Sequence, residues 1–231
     1  VLFRSWPCKR GLIGRCRSAD GLVPSADIPA MSNNTVHLEQ IADVFPGHYE
    51  QGSGKDEHAG THRLVFIGSI DPGPGHRLVP EKCPRFTPKL EPGDAILQSG
   101  DLIMPARGDR QDVAYLDAPP DARPLVAASF LHVIRPHRDA LDPGYLAWWL
   151  NQPSVQARVA AFVRGSNMPF LPLEETRGIK VTLPSLGVQR RIAELYRLSI
   201  QEFDLTTAIR EHRQRLIHAL AFQAVQGAIR T

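Results

Sequence analysis

Cysteine is scarce in this chain of 231 residues, which contains only three. Cys8 and Cys16 belong to the first 30 residues, so Cys83 is alone in the remainder. A lone cysteine cannot close an internal disulfide, which excludes for that remainder a small secreted fold held together by disulfide bonds. The cysteine content predicts a protein of the reducing cytoplasm.

Long apolar runs and an excess of one charge are missing as well. No apolar run reaches the roughly 20 residues of a membrane-spanning helix, so the sequence predicts no membrane partner. The chain has 27 basic and 24 acidic residues, of which residues 1–30 hold five and two. Residues 31–184 hold 15 basic and 18 acidic residues, so a nucleic-acid surface there has to be a local patch.

The motifs of common catalytic and cofactor sites are absent too. The sequence contains no Walker loop, no GxGxxG fingerprint, no GxSxG elbow and no FxGxG or NPPY-like methyltransferase signature. His58 and His62 lack the glutamate of an HExxH motif and a cysteine partner, so we interpret them as surface histidines. The sequence predicts no catalytic residue, no cofactor and no metal site, and its spacing gives no support to a hydrolase.

The first 30 residues show no apolar periodicity and are followed by Met31 and the polar sequence SNNT. Their longest apolar centre, GLIG, is too short for a signal peptide. We therefore expect residues 1–30 to be an extension, either disordered or a non-native start.

Short apolar runs typical of strands recur from residue 36 to residue 134. The predicted strands are residues 36–45 (a strand or a short turn), 63–70, 95–97, 101–105, 113–116 and 125–134. Residues 71–94 contain six prolines and three glycines, which predicts an irregular surface loop. This part of the chain is predicted to be rich in β-structure.

Two short helices are predicted after the last of these strands. Asp142 and Pro143 are typical of a helix start, and a second helix is expected over residues 154–165, ending at Gly165. Trp148 and Trp149 fall in the first helix, where core packing is favoured over stacking on a base.

A strand followed at once by a long helix dominates the C-terminal part. Residues 179–183 alternate between apolar and polar, Pro184 ends the strand and Ser185 is a helix cap. The helix spans near 40 residues, roughly 60 Å, which is longer than the face of a small domain, so pairing with another long helix is favoured over docking on its own domain. The apolar positions of the predicted dimerisation helix are Ile192, Leu195, Leu198, Leu205, Ile209, Leu216 and Leu220. Together these patterns predict an α+β fold with a long helix of the coiled-coil type.

Two loops carry side chains suited to nucleic acid. Arg107 and Arg110 follow a strand, where a guanidinium can bind phosphate or the edge of guanine, or can pair with a neighbouring aspartate. Arg164, Ser166 and Asn167 follow a helix and offer a phosphate contact and an adenine reader, or alternatively an ordinary helix end with Asn in a left-handed turn. The residues alone leave the first pair of alternatives open and favour the ordinary helix end in the second.

The loop of residues 71–94 adds five more basic or titratable side chains, which are His76, Arg77, Lys82, Arg85 and Lys89. They suit contact with a DNA groove or backbone, whereas ordinary solvated loop charge is the alternative.

Several segments then follow one another in a distinctive order. They are LEQIADVF, GDLIMPARG, VAASFLHVIRP, DPGYLAWWLNQPSVQARV and GSNMPFLPLEETRGIKVTLPSLGVQRRIAEL, followed by the long helix. In this order and spacing they resemble one half of a type I restriction-modification specificity subunit, over residues 36–226. The sequence departs from that family in having one recognition domain and one helix, and in having Gly187 and Val188 before Gln189, where an acidic residue is common.

The resemblance implies a non-catalytic subunit that reads half of a split site in double-stranded DNA. It implies a target recognition domain over residues 31–184 and a helix over residues 185–231 for dimerisation and docking. Two copies would pair as a homodimer, with a methyltransferase subunit and, in some assemblies, a restriction subunit as partners, in DNA methylation and phage defence. A protein-interaction adaptor that oligomerises through the helix is the alternative from another class.

Overall fold

The structure is a computed structural model, and it describes residues 34–49, 56–108, 110–116, 123–165 and 168–229. The expected extension of residues 1–30 and the candidate residues Ser166 and Asn167 lie outside these ranges. The elements are β1 (Asn34–His37), β2 (Ala42–Pro46), β3 (His62–Val65), β4 (Arg85–Phe86), β5 (Leu102–Pro105), β6 (Ala114–Tyr115), β7 (Leu125–Ala127), β8 (Leu131–Pro136), α1 (Pro143–Leu150), α2 (Pro153–Ala160), α3 (Leu173–Arg177), β9 (Lys180–Leu183) and α4 (Leu186–Ile229). The predicted α+β class and the long C-terminal helix are confirmed.

The central sheet has the order β2-β8-β5-β6, and its neighbouring strands are antiparallel. Both of its faces are covered, as β5 shows. Leu102 and Met104 point into one core cluster with residues of α1 and α2, whereas Ile103 points into a second cluster with residues of β7. Because successive strand residues alternate in direction, a strand covered on both sides is apolar throughout.

The prediction of a single strand over residues 125–134 is wrong, because these residues form two strands in two different sheets. β7 pairs in parallel with β3 in a three-stranded sheet, whereas β8 pairs with β2 and β5 in the central sheet. A turn joins them, closed by a 2.9 Å hydrogen bond from the Leu131 nitrogen to the Ala128 oxygen. A Cβ on Gly47 would lie 1.9 Å from that same oxygen, so only glycine fits beside this turn.

Other boundaries differ from the sequence prediction as well. Residues 36–45 are not one strand or turn, because β1 and β2 belong to different sheets and a 3₁₀ turn at Leu38–Gln40 lies between them. The loop predicted over residues 71–94 contains the short strand β4. The strand expected over residues 63–70 ends at Val65 and passes into a 3₁₀ turn at Ile67–Ser69. Residues 95–97 form the end of a 3₁₀ turn and an isolated bridge rather than a strand. The second helix ends at Ala160 instead of Gly165, and α3, which has only five residues, is absent from the sequence prediction.

The strand that precedes the long helix is fixed by hydrogen bonds from α1. The Tyr145 hydroxyl donates to the Thr182 oxygen at 2.5 Å, and burial raises the pKa of Tyr145 to about 12. Trp149 Nε1 donates to the Lys180 oxygen at 3.3 Å. The predicted cap of α1 is confirmed, because the Asp142 carboxylate accepts from the Tyr145 nitrogen at 3.1 Å.

Helix α4 has 44 residues, which corresponds to roughly 66 Å. Its first part packs on the rest of the chain through Gln189, which is 1% exposed, and through the half-buried Ile192, Ala193 and Tyr196. From residue 208 to residue 226 every residue is exposed. Residues 34–183, called the body below, therefore cover only the beginning of this helix. None of the helices that the structure describes is long and apolar enough to cross a membrane.

Candidate nucleic-acid interface

Three loops meet at one edge of the body and form a continuous surface, called the three-loop face below. They are the loop after β5, the β7–β8 turn and the loop between α2 and α3. The Ala106 nitrogen donates to the Phe130 oxygen at 2.8 Å, and the Leu171 nitrogen donates to the Ala106 oxygen at 2.8 Å. Arg164 and Phe170 exchange two backbone hydrogen bonds of 2.9 Å. Backbone hydrogen bonds thus fix the three loops to one another.

Large apolar side chains are exposed on the three-loop face. Phe130 is 42% exposed, Phe170 44% and Met168 65%. Buried positions would be the normal place for such residues, and a cluster of them beside charged residues marks an interaction surface.

Arg107 lies among these apolar residues. Its Cζ atom is 4.7 Å from the centre of the Phe130 ring, which is the geometry of a cation–π contact. The residue is exposed, and no described residue forms a hydrogen bond or an ion pair with its guanidinium. The ring therefore orients the guanidinium while its donors remain available to a ligand.

Arg164 is on the same face but is paired. Its Nη2 donates to Glu175 Oε1 at 2.7 Å, and 63% of its side chain is exposed. An exposed pair of this kind contributes little to stability, so a phosphate can replace the carboxylate at small cost.

A groove of about 830 Å³ adjoins the three-loop face, and Phe130 lines both. Arg85 lies in this groove and binds Asp56 through both ends of its guanidinium, with Nε to Oδ1 at 3.0 Å and Nη2 to Oδ2 at 2.5 Å. The hydrogen bonds from Arg85 hold the pKa of the Asp56 carboxyl well below its usual range. The groove carries both charge signs, with Arg63 and Lys82 alongside Glu81 on its lining.

Three other candidate residues contact aspartates of the same chain. Arg110 binds Asp112 through Nε at 2.6 Å, which is the aspartate pairing that the sequence left open. Arg77 forms an ion pair with Asp204 on α4, and His76 Nε2 is 3.8 Å from Asp112. Arg77 is thus engaged by α4, whereas Arg110 and His76 are engaged by Asp112 in the loop after β5. Lys89 is exposed in the loop that follows β4.

The apolar positions of α4 fall into two groups. Ile192 packs against the core of the body. The other six are exposed by 46% to 67% and are called the α4 stripe, which consists of Leu195, Leu198, Leu205, Ile209, Leu216 and Leu220. At about 100° per residue, Leu205 lies opposite Tyr196, which faces the body. The stripe and the body therefore occupy opposite sides of the helix.

Several solved structures are similar to this chain. The HsdS subunit from Thermoanaerobacter tengcongensis superposes with a TM-score of 0.53 at 18% identity, covering 78% of this chain and 39% of that one. A chain from a type I R-M system, solved in work on complex assembly and conformational transition, gives a TM-score of 0.57 at 17% identity over 79% of this chain and 42% of that one. The S subunit from M. genitalium gives 0.50 at 10% identity over 72% and 38%. This chain has the fold of a type I restriction-modification S subunit.

The chain spans about two fifths of the length of the S subunits that it matches. No family model matches the sequence, and no curated protein matches it. The S-subunit fold is thus seen here with one body and one long helix.

Among the described residues no group of three or more His, Cys, Asp and Glu side chains is placed to hold a metal ion.

Sequence reasoning missed Phe130, Met168 and Phe170 as members of the candidate interface of this S-subunit fold. The prediction of one strand over residues 125–134 assigns its apolar residues to buried positions, so it does not indicate that Phe130 is exposed. Met168, Pro169 and Phe170 did give a usable signal, since an apolar cluster beside Arg164 in a loop has no helix or strand period to explain it.

Proposed function

We propose that this chain is the DNA-recognition subunit of a type I-like restriction-modification assembly. Residues 31–184 form its target recognition domain, which reads a half-site in double-stranded DNA. Residues 185–231 form the helix that pairs with a second copy and docks the modification subunit. The observation that carries this proposal is Arg107, held over the Phe130 ring at 4.7 Å with its donors unengaged by described residues.

The chemistry of the three-loop face suits a duplex. A guanidinium can donate two parallel hydrogen bonds to O6 and N7 of guanine, and one such pair is worth about 1–3 kcal/mol of discrimination against a wrong base. Arg164 adds a phosphate contact, and Ser166 and Asn167 belong to the same loop in the sequence. Arg85, in the groove beside this face, and Lys89, in the loop that follows β4, are further basic candidates for contact with DNA.

Binding by a single copy should be weak, because the recognition domain carries slightly more acidic than basic residues. Two half-sites read at once raise the affinity without any new contact. The α4 stripe supports such pairing, since it leaves six large apolar side chains in water on the side opposite to the body.

The chain itself performs no catalysis in this proposal. Methyl transfer belongs to a partner methyltransferase, and cleavage belongs to a restriction subunit where one is present. The recognition subunit decides which DNA sequence those partners reach.

Selection from random DNA tests the proposal. The full chain, assembled with its methyltransferase, is mixed with duplexes of random sequence, and bound duplexes are sequenced at 50 and 200 mM salt. We expect one split motif to be enriched, with affinity falling as the salt rises. No sequence preference in the assembled complex would contradict the proposal.

A protein-interaction adaptor is the second candidate, and the exposure of Met168 and Phe170 favours it. In that case the three-loop face binds a peptide or protein. The same experiment separates the two functions, because an adaptor shows no salt-dependent affinity for DNA in any assembly.

A further inference from the structure

Residues 70–79 form a closed loop, called the α4-contacting loop below. Ile70 and Leu78 form an antiparallel bridge at its base. The Asp71 nitrogen donates to the Arg77 oxygen at 2.8 Å, and the Val79 nitrogen donates to the Ser69 oxygen at 2.8 Å. The loop is therefore a defined structural element rather than an irregular connection.

One side of this loop lies against α4. Gly75 has a φ of +86°, and a Cβ placed on it would lie 2.8 Å from Ile200 Cδ1. Glycine permits both the left-handed backbone and the close approach. Two residues later, Arg77 forms an ion pair with Asp204, one turn of α4 further along.

The other side of the loop lies against the loop between β5 and β6. His76 Nε2 is 3.8 Å from Asp112 Oδ1, and its buried Nδ1 has no hydrogen-bond partner among the described residues. Burial is the main cause that lowers the pKa of His76. Asp112 is itself held by Arg110. The α4-contacting loop is thus packed between the body and the helix.

Among the described residues, helix α4 consequently contacts the body in two regions, one at the start of the helix and one further along. The first is with α1, where a Cβ on Gly144 would lie 3.1 Å from Ala193 Cβ. The second is the α4-contacting loop at Ile200 and Asp204. From Ala193 to Asp204 the helix rises about 16 Å. One attachment would leave the helix direction variable, whereas two that are this far apart define it.

We propose that the α4-contacting loop is a positioning element that sets the angle between the recognition domain and α4, and thereby the spacing between the two DNA half-sites. This inference rests on the proposed function. From Asp204 to the end of α4 the helix extends roughly 38 Å, so a tilt of about 10° moves that end by roughly 6–7 Å. That displacement corresponds to about two base pairs at 3.4 Å each. Weakening the contact between the α4-contacting loop and α4 should therefore produce a measurable change in the spacing between the two DNA half-sites.

The test uses the full chain assembled with its methyltransferase. Plasmids carry the two half-sites selected by the wild-type complex, with spacers from two base pairs shorter to two longer than the selected one. Methylation of each plasmid gives a spacer profile. We expect the Arg77→Ala and Gly75→Val variants to lower the preference for the selected spacer over its neighbours at least fivefold, with the half-site sequences unchanged. The double variant Arg77→Asp, Asp204→Arg should restore the wild-type profile.

Arg138→Ala is the matched control, since it also removes one arginine but lies in the turn after β8, outside the α4-contacting loop. Asp204→Asn tests the same ion pair from the helix side and leaves the loop sequence intact. A wild-type spacer profile in the Arg77, Gly75 and Asp204 variants would overturn the inference while leaving DNA recognition in place. A wild-type complex that selects no half-site would instead overturn the proposed function.

Discussion

The side chain of Gln189 accepts a hydrogen bond from the backbone nitrogen of Asp142, with Oε1 at 2.9 Å. Asp142 caps α1, and Gln189 lies in the first turn of α4, so this contact joins the starts of the two helices. Gln189 Nε2 also donates to the oxygens of Pro184 at 2.9 Å and Ala140 at 3.3 Å. The glutamine in PSLGVQ thus has a structural role at the junction between body and helix.

Replacing Gln189 by alanine should destabilise the protein by about 1–3 kcal/mol, because it leaves the partly buried Asp142 nitrogen and Pro184 oxygen without this partner. Urea unfolding followed by circular dichroism measures the effect. Gln201→Ala is the matched control, since Gln201 is exposed on the same helix. If the two variants had equal free energies of unfolding, the hydrogen bonds of Gln189 would make no contribution to stability.

Replacing Arg107 by alanine should weaken binding of the selected DNA by about 1–3 kcal/mol, which is roughly 5- to 150-fold. The reason is the loss of an oriented guanidinium whose donors no described residue engages. Arg110→Ala, three residues away in the same loop, is the control, because Arg110 is already bound to Asp112. We expect less than a twofold effect from it.

Filter binding of the assembled complex at fixed salt compares the two arginine variants. Phe130→Leu removes the ring beneath Arg107 and should give an intermediate loss of affinity. If Arg110→Ala weakened binding as strongly as Arg107→Ala, the assignment of the three-loop face as the interface would be wrong.

His132 should make folding sensitive to mild acid. Burial, and secondarily the charge of Arg177, lowers its pKa from the ordinary 6.5 to about 4. Between these values the unfolded chain binds the proton and the folded chain does not, so stability is full above pH 6.5 and falls as the pH drops towards 4. The loss amounts to roughly 3 kcal/mol.

Unfolding of wild type and His132→Gln at pH 7, 6, 5 and 4 measures this loss. The glutamine variant should lack that part of the pH dependence, because it has no group to protonate in this range. His137→Gln is the control, since 42% of the His137 side chain is exposed. Parallel stability curves for wild type and His132→Gln would refute the prediction.

Replacing Ile209 and Leu216 by aspartate should convert the proposed homodimer to a monomer, because both lie on the α4 stripe with no cover from the body. Sedimentation velocity measures the change. Gln214→Asp adds a negative charge on the opposite side of α4 and should leave the dimer intact. A double variant that stays dimeric would refute the role given to the stripe.

Much of the fold could be predicted because local rules decide it. The cap at Asp142, the alternation of residues 179–183 and the length of α4 depend on neighbours in sequence. The break of residues 125–134 into β7 and β8 could not be predicted, since it depends on which sheet each half joins. Apart from Ser129, which precedes Phe130, no residue in this stretch indicates that the chain passes from one sheet to another.

The candidate site, like the fold, could be predicted only in part from the sequence. The sequence indicates the arginines of the loops as candidates for contact with DNA, but it does not indicate which of them the fold engages. Arg77 is bound by Asp204, which lies 127 residues later in the chain. The exposure of Phe130 likewise depends on contacts between loops that are distant in sequence.

The symmetry of the methylated sequence tests the central claim most directly. Plasmid DNA treated with the assembled complex is sequenced so that each modified base is identified. Two identical copies related by a two-fold axis must read inverted copies of one half-site, so we predict a split motif whose halves are inverted repeats. Methylation without any motif, or a motif with two unrelated halves, would contradict the account.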